Sequence, residues 1–464
     1  MTSSLDFVHI HALAHQFSSS DDQEHKLSVA LSALEIMDRF STLHPYYEQY
    51  YSMLNAQNHP ATQKYGGSWA SGIEALGTQE LFMGDEFLGQ AEKTGLFEKF
   101  VPQFCRLFIA GDFANLQNLL NKVSLSVSFL NQCTDIVMFY ENRYFEFLFY
   151  QIVAVVYGSL WFPSLSKSDE VSPTNDDATP TLKWAQIEKK CDSYHKKSAN
   201  SLEKLGEMYP DVVEKVNAEL TYYTLVKWYS AFAKFKESRF TEFCASFDAI
   251  QSKIHTLKSV HLETEAIICY GVACIATNPF KELDFCSNEK MLDLYTSSTS
   301  IEASLYEVMK HLSTAHFAKV KELWHPSFLA RLDSAIGYAI PAKTKGTFWE
   351  YLLSVIDLKA FLLIISISEC ISRDKILDKL GYNGASDQVR AAVSNSMVVV
   401  LSVLNLSEIN IFYHETEDVF YNLPLDKATQ ELMLSDKLED LDHAANADAA
   451  AAHMKALLVR KYFT

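Results

Sequence analysis

Positive charge is in short supply in this chain: 40 Lys and Arg stand against 58 Asp and Glu, a net charge of −18. Phosphate binding needs clustered cations, so the balance argues against nucleic acid as a partner of the whole chain and leaves room only for local basic patches. Helix breakers are also sparse, with 15 Gly and 11 Pro in 464 residues. That composition points to a mostly α protein with strand confined to a small part. The eight cysteines, at 105, 133, 191, 244, 269, 274, 286 and 370, include no CxxC and no Cys/His pair at metal spacing. They read as reduced, mostly buried thiols. Also missing are a Gly-rich phosphate loop followed by Lys and Ser or Thr, a GxSxG elbow and an HExxH helix, so no enzyme, metal or cofactor is expected on these grounds. The most apolar run, Phe147 to Phe162, is 16 residues long and contains Gln151. It falls short of the roughly 20 residues that span a bilayer, so a buried helix and no membrane partner are expected. No basic segment followed by an apolar run opens the chain, which places the expectation in the cytoplasm and nucleus.

What is abundant is apolar material, 48% of residues with 13% aromatic, enough for two or more cores. Residues 1–162 read as an N-terminal helical region, with Leu27, Leu31, Leu34 and Met37 early on and Phe100, Phe104, Leu107 and Phe108 sharing a later face. Within it, Gly66, Gly67, Gly72, Gly77, Gly84, Gly89 and Gly95 predict a loop-rich insertion or a packed irregular segment. Residues 163–181, rich in Ser, Asp, Thr and Pro, predict a flexible linker. Residues 182–340 read as paired helices: Phe240, Phe243, Phe247, Ile250, Ile254 and Leu257 step by three and four, facing Tyr222 to Phe235. A further pair begins at Ile301, with Leu305, Val308, Leu312, Val320 and Leu323 in the stripe. Such pairs stack into a helical-repeat solenoid, tetratricopeptide-like in architecture but without the strict repeat of about 34 residues.

Residues 341–424 carry helices at Phe348 to Ile356 and Leu358 to Ile367, then a change of pattern. Ile371, Ile376, Leu377 and Leu380 form a short helical stripe behind a Ser372 N-cap, and Gly381 stops it. Ser386 and Asp387 cap a second helix with Val389, Ala392, Val393, Met397, Val400, Leu401 and Leu404 at helical spacing. Ile409, Ile411 and Tyr413 then alternate with polar residues, and Val419 and Tyr421 answer across an acidic turn. Helix, helix and ribbon in that order reads as a winged helix. Its second helix has Arg390 as its one basic residue, and its turn carries Glu415, Glu417 and Asp418. That surface would repel a duplex. Ile409, Ile411, Tyr413, Val419 and Tyr421 are instead candidates for pairing with another subunit's wing through open strand edges, beside the plainer reading that they close their own domain. Residues 425–464 predict C-terminal helices, with Leu432, Leu434, Leu438 and Leu441 on an amphipathic one that needs a partner surface.

Two other patterns carry weaker chemistry. His9, His11, Ser19 and Asp22 match the HxH, seven residues, Ser, two residues, Asp spacing of the JAMM metalloproteases, in which two His and an Asp hold zinc and a Glu activates water. No Glu lies in the eight residues before His9, Ala12 replaces the usual Pro, and the surroundings read as helix. Six lysines, at 183, 189, 190, 196, 197 and 204, form the one basic patch, read first as a solvated helix face and second as a site for RNA or an acidic partner.

Solenoid followed by winged helix resembles the PCI domain shared by subunits of the proteasome lid, the COP-nine signalosome and translation initiation factor three. The segment Ile268 to Leu283 is similar to one in signalosome subunit one and its proteasome-lid counterpart: Tyr270, Gly271, Cys274, Ala276, Thr277, Glu282 and Leu283 fit, while Ile275 replaces a Leu and Lys281 stands near an expected Arg. The resemblance covers residues 265 to 421. It implies a non-catalytic scaffold subunit, with other PCI subunits of a multisubunit complex and cullin-RING ubiquitin ligases as partners. Cullin deneddylation would be performed by another subunit; the alternatives are a proteasome-lid subunit or another PCI scaffold such as one in translation initiation factor three. The resemblance further implies side-by-side docking of winged helices and a bundle of C-terminal helices.

Overall fold

The computed structural model describes residues 5–79, 96–126, 130, 143–161, 184–206, 221–285, 289–296, 301–340, 346–404 and 411–422. Helix dominates them, and strand is confined to three short segments near the end. The chain divides into two compact units, Met1–Tyr270 with Ala330–Lys343, and Gly271–Leu329 with Thr344–Thr464. The segments 80–95, 163–181 and 425–464, with Ile409, Leu432, Leu434, Leu438 and Leu441, lie outside the described residues.

The first unit is a helical assembly around an aromatic core. Helices Ile10–Ser19, Gln23–Phe40 and Tyr47–Ala56 begin it. Asp22 starts the second of these by accepting a hydrogen bond from the Glu24 amide at 3.0 Å, which satisfies one of the donors a helix start leaves open. Phe7 meets Phe104, Phe108 and Tyr150 with ring centroids 5.3–6.0 Å apart. Helix Arg143–Trp161 buries Phe145, Phe147, Leu148, Phe149, Ile152, Val153 and Tyr157. A helix apolar on every side belongs inside a core, and each such side chain contributes about 1.5–3 kcal/mol by leaving water. Thr221–Lys236 and Phe240–Ile250 then pair as the spacing predicts, with Phe235 against Phe240 and Phe243 and Trp228 against Phe243 and Phe247. The glycine-bearing stretch departs from expectation: Gly67–Gln79 is a helix containing three glycines. Added side chains at Gly67 and Gly72 would meet nothing, so these residues lower helix propensity without marking a turn, and packing of Ala70 and Ile73 outweighs that cost.

In the second unit, helices Ile301–Ser313 and Phe317–Leu323 form a pair that buries Leu305, Val308, Leu312 and Val320. Two helices were expected between Phe348 and Ile367; there is one, Phe348–Ser366. Asp357 and Lys359 sit in its middle without breaking it because both side chains turn inward to partners. After it come the strand Cys370–Ser372 (β1), helix Arg373–Lys379, helix Asp387–Leu404, and the strands Ile411–His414 (β2) and Val419–Asn422 (β3). The sheet is antiparallel, with β3 between β1 and β2.

Ile371, expected to begin a helix, lies in β1 opposite Phe420. Ser372 does hold the N-cap position of the next helix, but its side chain makes no capping hydrogen bond; the Arg373 amide donates to Asp418 instead. Gly381 stops that helix with φ +88°. A Cβ there would stand 2.8 Å from the Ala318 Cα, so glycine is required twice over, by conformation and by close approach. Among residues 387–399 of helix Asp387–Leu404 the buried positions are Ser394 and Met397, while the expected core residue Val389 is exposed.

Candidate functional site

The three-stranded sheet has one inner and one outer face, and register decides which side chains occupy each. Tyr413 pairs with Phe420, Ile411 with Asn422, and Phe420 with Ile371. Side chains at paired positions share a face, so Ile371, Ile411, Tyr413 and Phe420 look inward. Phe420 is fully buried and meets Phe361 of helix Phe348–Ser366 at 5.3 Å, edge to face, and Tyr413 at 4.7 Å. Val419 and Tyr421, grouped with Ile411 as wing residues by their place across the turn, lie on the outer face with Cys370. A slip of one residue exchanges faces, and Val419, Phe420 and Tyr421 are three consecutive apolar residues that alternation alone cannot place.

The acidic turn is tied down by its neighbours. Asp418, at φ +55°, accepts a hydrogen bond from the Tyr413 hydroxyl at 2.6 Å and pairs with Arg373 at 2.9 Å. Burial first, and the Asp418 bond second, push the Tyr413 hydroxyl up to about 12. The Tyr421 hydroxyl donates to Glu417 at 2.7 Å. Arg390, the one cation of helix Asp387–Leu404, is spent on Asp374 at 3.0 Å, Asp378 at 3.2 Å and the Tyr382 carbonyl at 2.9 Å. Those two carboxylates hold its guanidinium charged and leave it already engaged. The described surface thus offers strand backbone on β1 and β2, outer side chains, and acidic charge.

Beneath this sheet module lies a cluster that sequence reasoning missed. Lys321 reaches Asp357 at 2.5 Å and the Tyr382 hydroxyl at 2.8 Å, and the Tyr382 hydroxyl donates to Asp357 at 2.5 Å. Three separate elements, Phe317–Leu323, Phe348–Ser366 and the turn after Arg373–Lys379, are joined by these contacts. Burial pulls the lysine down and pushes the carboxyl up, and their mutual attraction works against both shifts. Lys359 donates to the carbonyls of Ile275 at 2.9 Å and Asn278 at 2.6 Å, closing the end of helix Glu263–Thr277. Burial lowers its ammonium to about 8. The signal for both was Asp357 and Lys359 inside the otherwise uncharged run from Tyr351 to Ile367.

Most of the residues that carried the family resemblance have packing roles. Tyr270 stacks on Phe247 at 4.6 Å and donates to Asp248 at 2.8 Å. Gly271 allows close approach: an added Cβ would come 2.7 Å from Leu305 and 2.8 Å from the Tyr295 hydroxyl. Cys274, Ala276 and Leu283 are buried, Thr277 donates to the Ala273 carbonyl at 2.8 Å, and Glu282 is exposed.

The zinc-like residues are employed separately. The Nε2 of His9 donates to the Val260 carbonyl at 2.7 Å and the Nε2 of His11 to the Phe108 carbonyl at 3.0 Å. The remaining nitrogen of His11 faces the Nε2 of His44 at 3.3 Å, and the Nδ1 of His44 accepts from the Tyr46 amide at 3.1 Å. Every nitrogen of His11 and His44 therefore has a role that fits one proton per ring. Burial, joined for His11 by the neighbouring His44, lowers His11 to about 3, and burial lowers His44 to about 4. Ser19 bonds to the Gln16 carbonyl and Asp22 caps its helix. Among the described residues no group of three His, Cys, Asp or Glu is arranged to hold a metal ion, and no helix is long and apolar enough to cross a membrane.

No protein-family model matches the chain, and no curated protein matches it.

Proposed function

We propose that the chain is a non-catalytic scaffold subunit of a PCI-type multisubunit complex, nearest to the COP-nine signalosome, where it would support cullin deneddylation and regulation of cullin-RING ubiquitin ligases. In this reading the helix pairs form the solenoid, residues 373–422 the winged helix, and residues 425–464 the C-terminal helices that join a common bundle. The observation that carries it is the order of elements: helix Arg373–Lys379, the Gly381 turn, helix Asp387–Leu404, then the β2–β3 ribbon with β1 alongside. Among the described residues each outer strand has a paired neighbour on one side only, and an open edge is the chemistry by which a neighbouring subunit extends a sheet. Arg390 is engaged by carboxylates and the turn is acidic, which favours protein over duplex as the partner.

Affinity purification from cells of the full chain, and of a chain lacking residues 371–464, tests the proposal. The full chain is expected to bring down other PCI subunits, and the identity of those companions separates signalosome from proteasome lid and initiation factor. Recovery of the same assembly with the shortened chain would overturn the reading.

A further inference from the structure

Helix Trp184–Gly206 has two chemically opposed sides. On the inner side Ile187 and Cys191 are fully buried, and Glu188 and Asp192 receive Lys227 at 2.9 and 3.1 Å, with Lys234 reaching Glu188 at 3.5 Å. These cations are paired by the protein itself. Lys189 and Lys190, on the outer side, form no hydrogen bond or ion pair among the described residues, although the chain carries an excess of acid. They do not simply fan into solvent. Lys189, Lys190 and Lys197, with Ser193, line a cavity whose other walls are Leu130, Tyr144 and Tyr194. The Tyr144 and Tyr194 rings meet at 4.5 Å, giving the cavity an aromatic wall beside its ammonium groups.

We propose that this cavity is a docking site for a short acidic peptide segment of a partner protein. Its length sets the size of the ligand. Lys189 and Lys197 are eight residues apart on a helix, about 12 Å along the axis, which an extended peptide covers in about four residues. Carboxylate or phosphate groups of such a segment would reach the Lys189 and Lys190 ammonium groups, and an apolar side chain beside them would rest on Leu130 and the tyrosines. Ammonium groups bind either anion as point charges. A nucleic acid fits less well, because it needs a longer track of cations. The proposal is independent of the assembly reading above.

Fluorescence polarisation on the full chain tests it, using fluorescein-labelled peptides of sequence Glu-Glu-Phe-Glu-Glu and its counterpart with phosphoserine in place of each Glu. A single-stranded oligo-uridine serves as the competing ligand class. Saturable peptide binding is expected, weakened by added salt and weakened about tenfold or more by Lys189→Glu with Lys190→Glu. The exposed Lys319→Glu is expected to leave it unchanged. Whichever peptide binds more tightly identifies the anion. Absence of saturable binding by both peptides, or affinity indifferent to the double variant, would overturn the proposal. Tighter binding of the oligo-uridine, lost in the double variant, would also overturn it and assign the cavity to RNA.

Discussion

Two sets of buried ionisable groups, one in each compact unit, are handled in contrasting ways. In the first unit, His11 and His44 each carry one proton among carbonyl, imidazole and amide partners, and burial lifts the Glu265 carboxyl to about 7. Part of Glu265 reaches the surface, but its Oε1 is sealed off without a partner, while Oε2 accepts from the Tyr338 hydroxyl. In the second, Lys321 and Asp357 go in together and satisfy each other with the help of Tyr382. The contrast follows from cost. An isolated charge in an apolar interior gives up its charge, whereas a pair keeps it only where geometry is good and the remaining sites are bonded.

The largest effect should come from breaking the pair. Asp357→Ala leaves the Lys321 ammonium buried beside Tyr382 alone, and urea unfolding should show a loss of about 3–5 kcal/mol. Adding Lys321→Met should recover much of it. A single variant costing less than about 1 kcal/mol would mean that the contact is no different from a surface salt bridge.

Next comes the sheet that this cluster supports. Phe420→Ala removes the fully buried ring against Phe361 and should cost about 3–5 kcal/mol. Tyr421→Ala, one residue on but on the outer face, should cost about 1 kcal/mol or less. Equal losses in the two variants would refute the register. Loss of partner binding in Tyr421→Ala, with stability kept, would sharpen the role of the outer face in assembly.

The smallest effects test the neutral groups of the first unit, and they differ in sign. His11 and His44 have folded values below the ordinary 6.5, so the unfolded chain binds protons first and stability falls as pH drops from about 6.5 towards 4. Melting curves of a His11→Phe, His44→Phe double variant should show a shallower decline. Glu265 is shifted upwards, so its stabilising contribution is full below the ordinary carboxylate value and is lost as pH rises through about 7. Glu265→Gln should therefore raise the melting temperature at about pH 8, by an amount equivalent to about 1–2 kcal/mol, and change it little at about pH 4.5. The same gain at both pH values would show that the carboxyl's charge is not what matters.

Much of the helical architecture was legible from spacing. The stripes became helices that bury Phe240, Phe243, Phe247, Ile250, Leu305, Val308, Leu312 and Val320, although the helix expected to run on to Leu257 ends at Ile250. Short elements were not legible. Cys370–Ser372 is three residues long and runs straight into a helix, so it offered no alternation to detect. Gly67–Gln79 looked broken because glycine is permissive, and permissiveness is no evidence of a turn until φ is known. Within the sheet, Ile411 and Phe420 are buried and Tyr413 packs on Phe420, and three consecutive apolar residues, Val419 to Tyr421, give alternation no means of choosing Phe420 as the inward one.

Periodicity and composition by themselves determined that this is a helix-rich chain with aromatic cores, an acidic surface balance and a brief strand region near residue 420. These properties are local: helical spacing, strand alternation and charge are written one residue at a time. Tertiary structure alone decided that His9 and His11 bond to distant carbonyls, that Asp357 finds Lys321, that Lys359 bonds to a helix-end carbonyl 81 residues away, and that Lys227 is paired while Lys189 and Lys190 line a cavity. The reason is physical. A polar side chain's role depends on which donors, acceptors and charges surround it once water is removed, and those come from parts of the chain that only folding brings together.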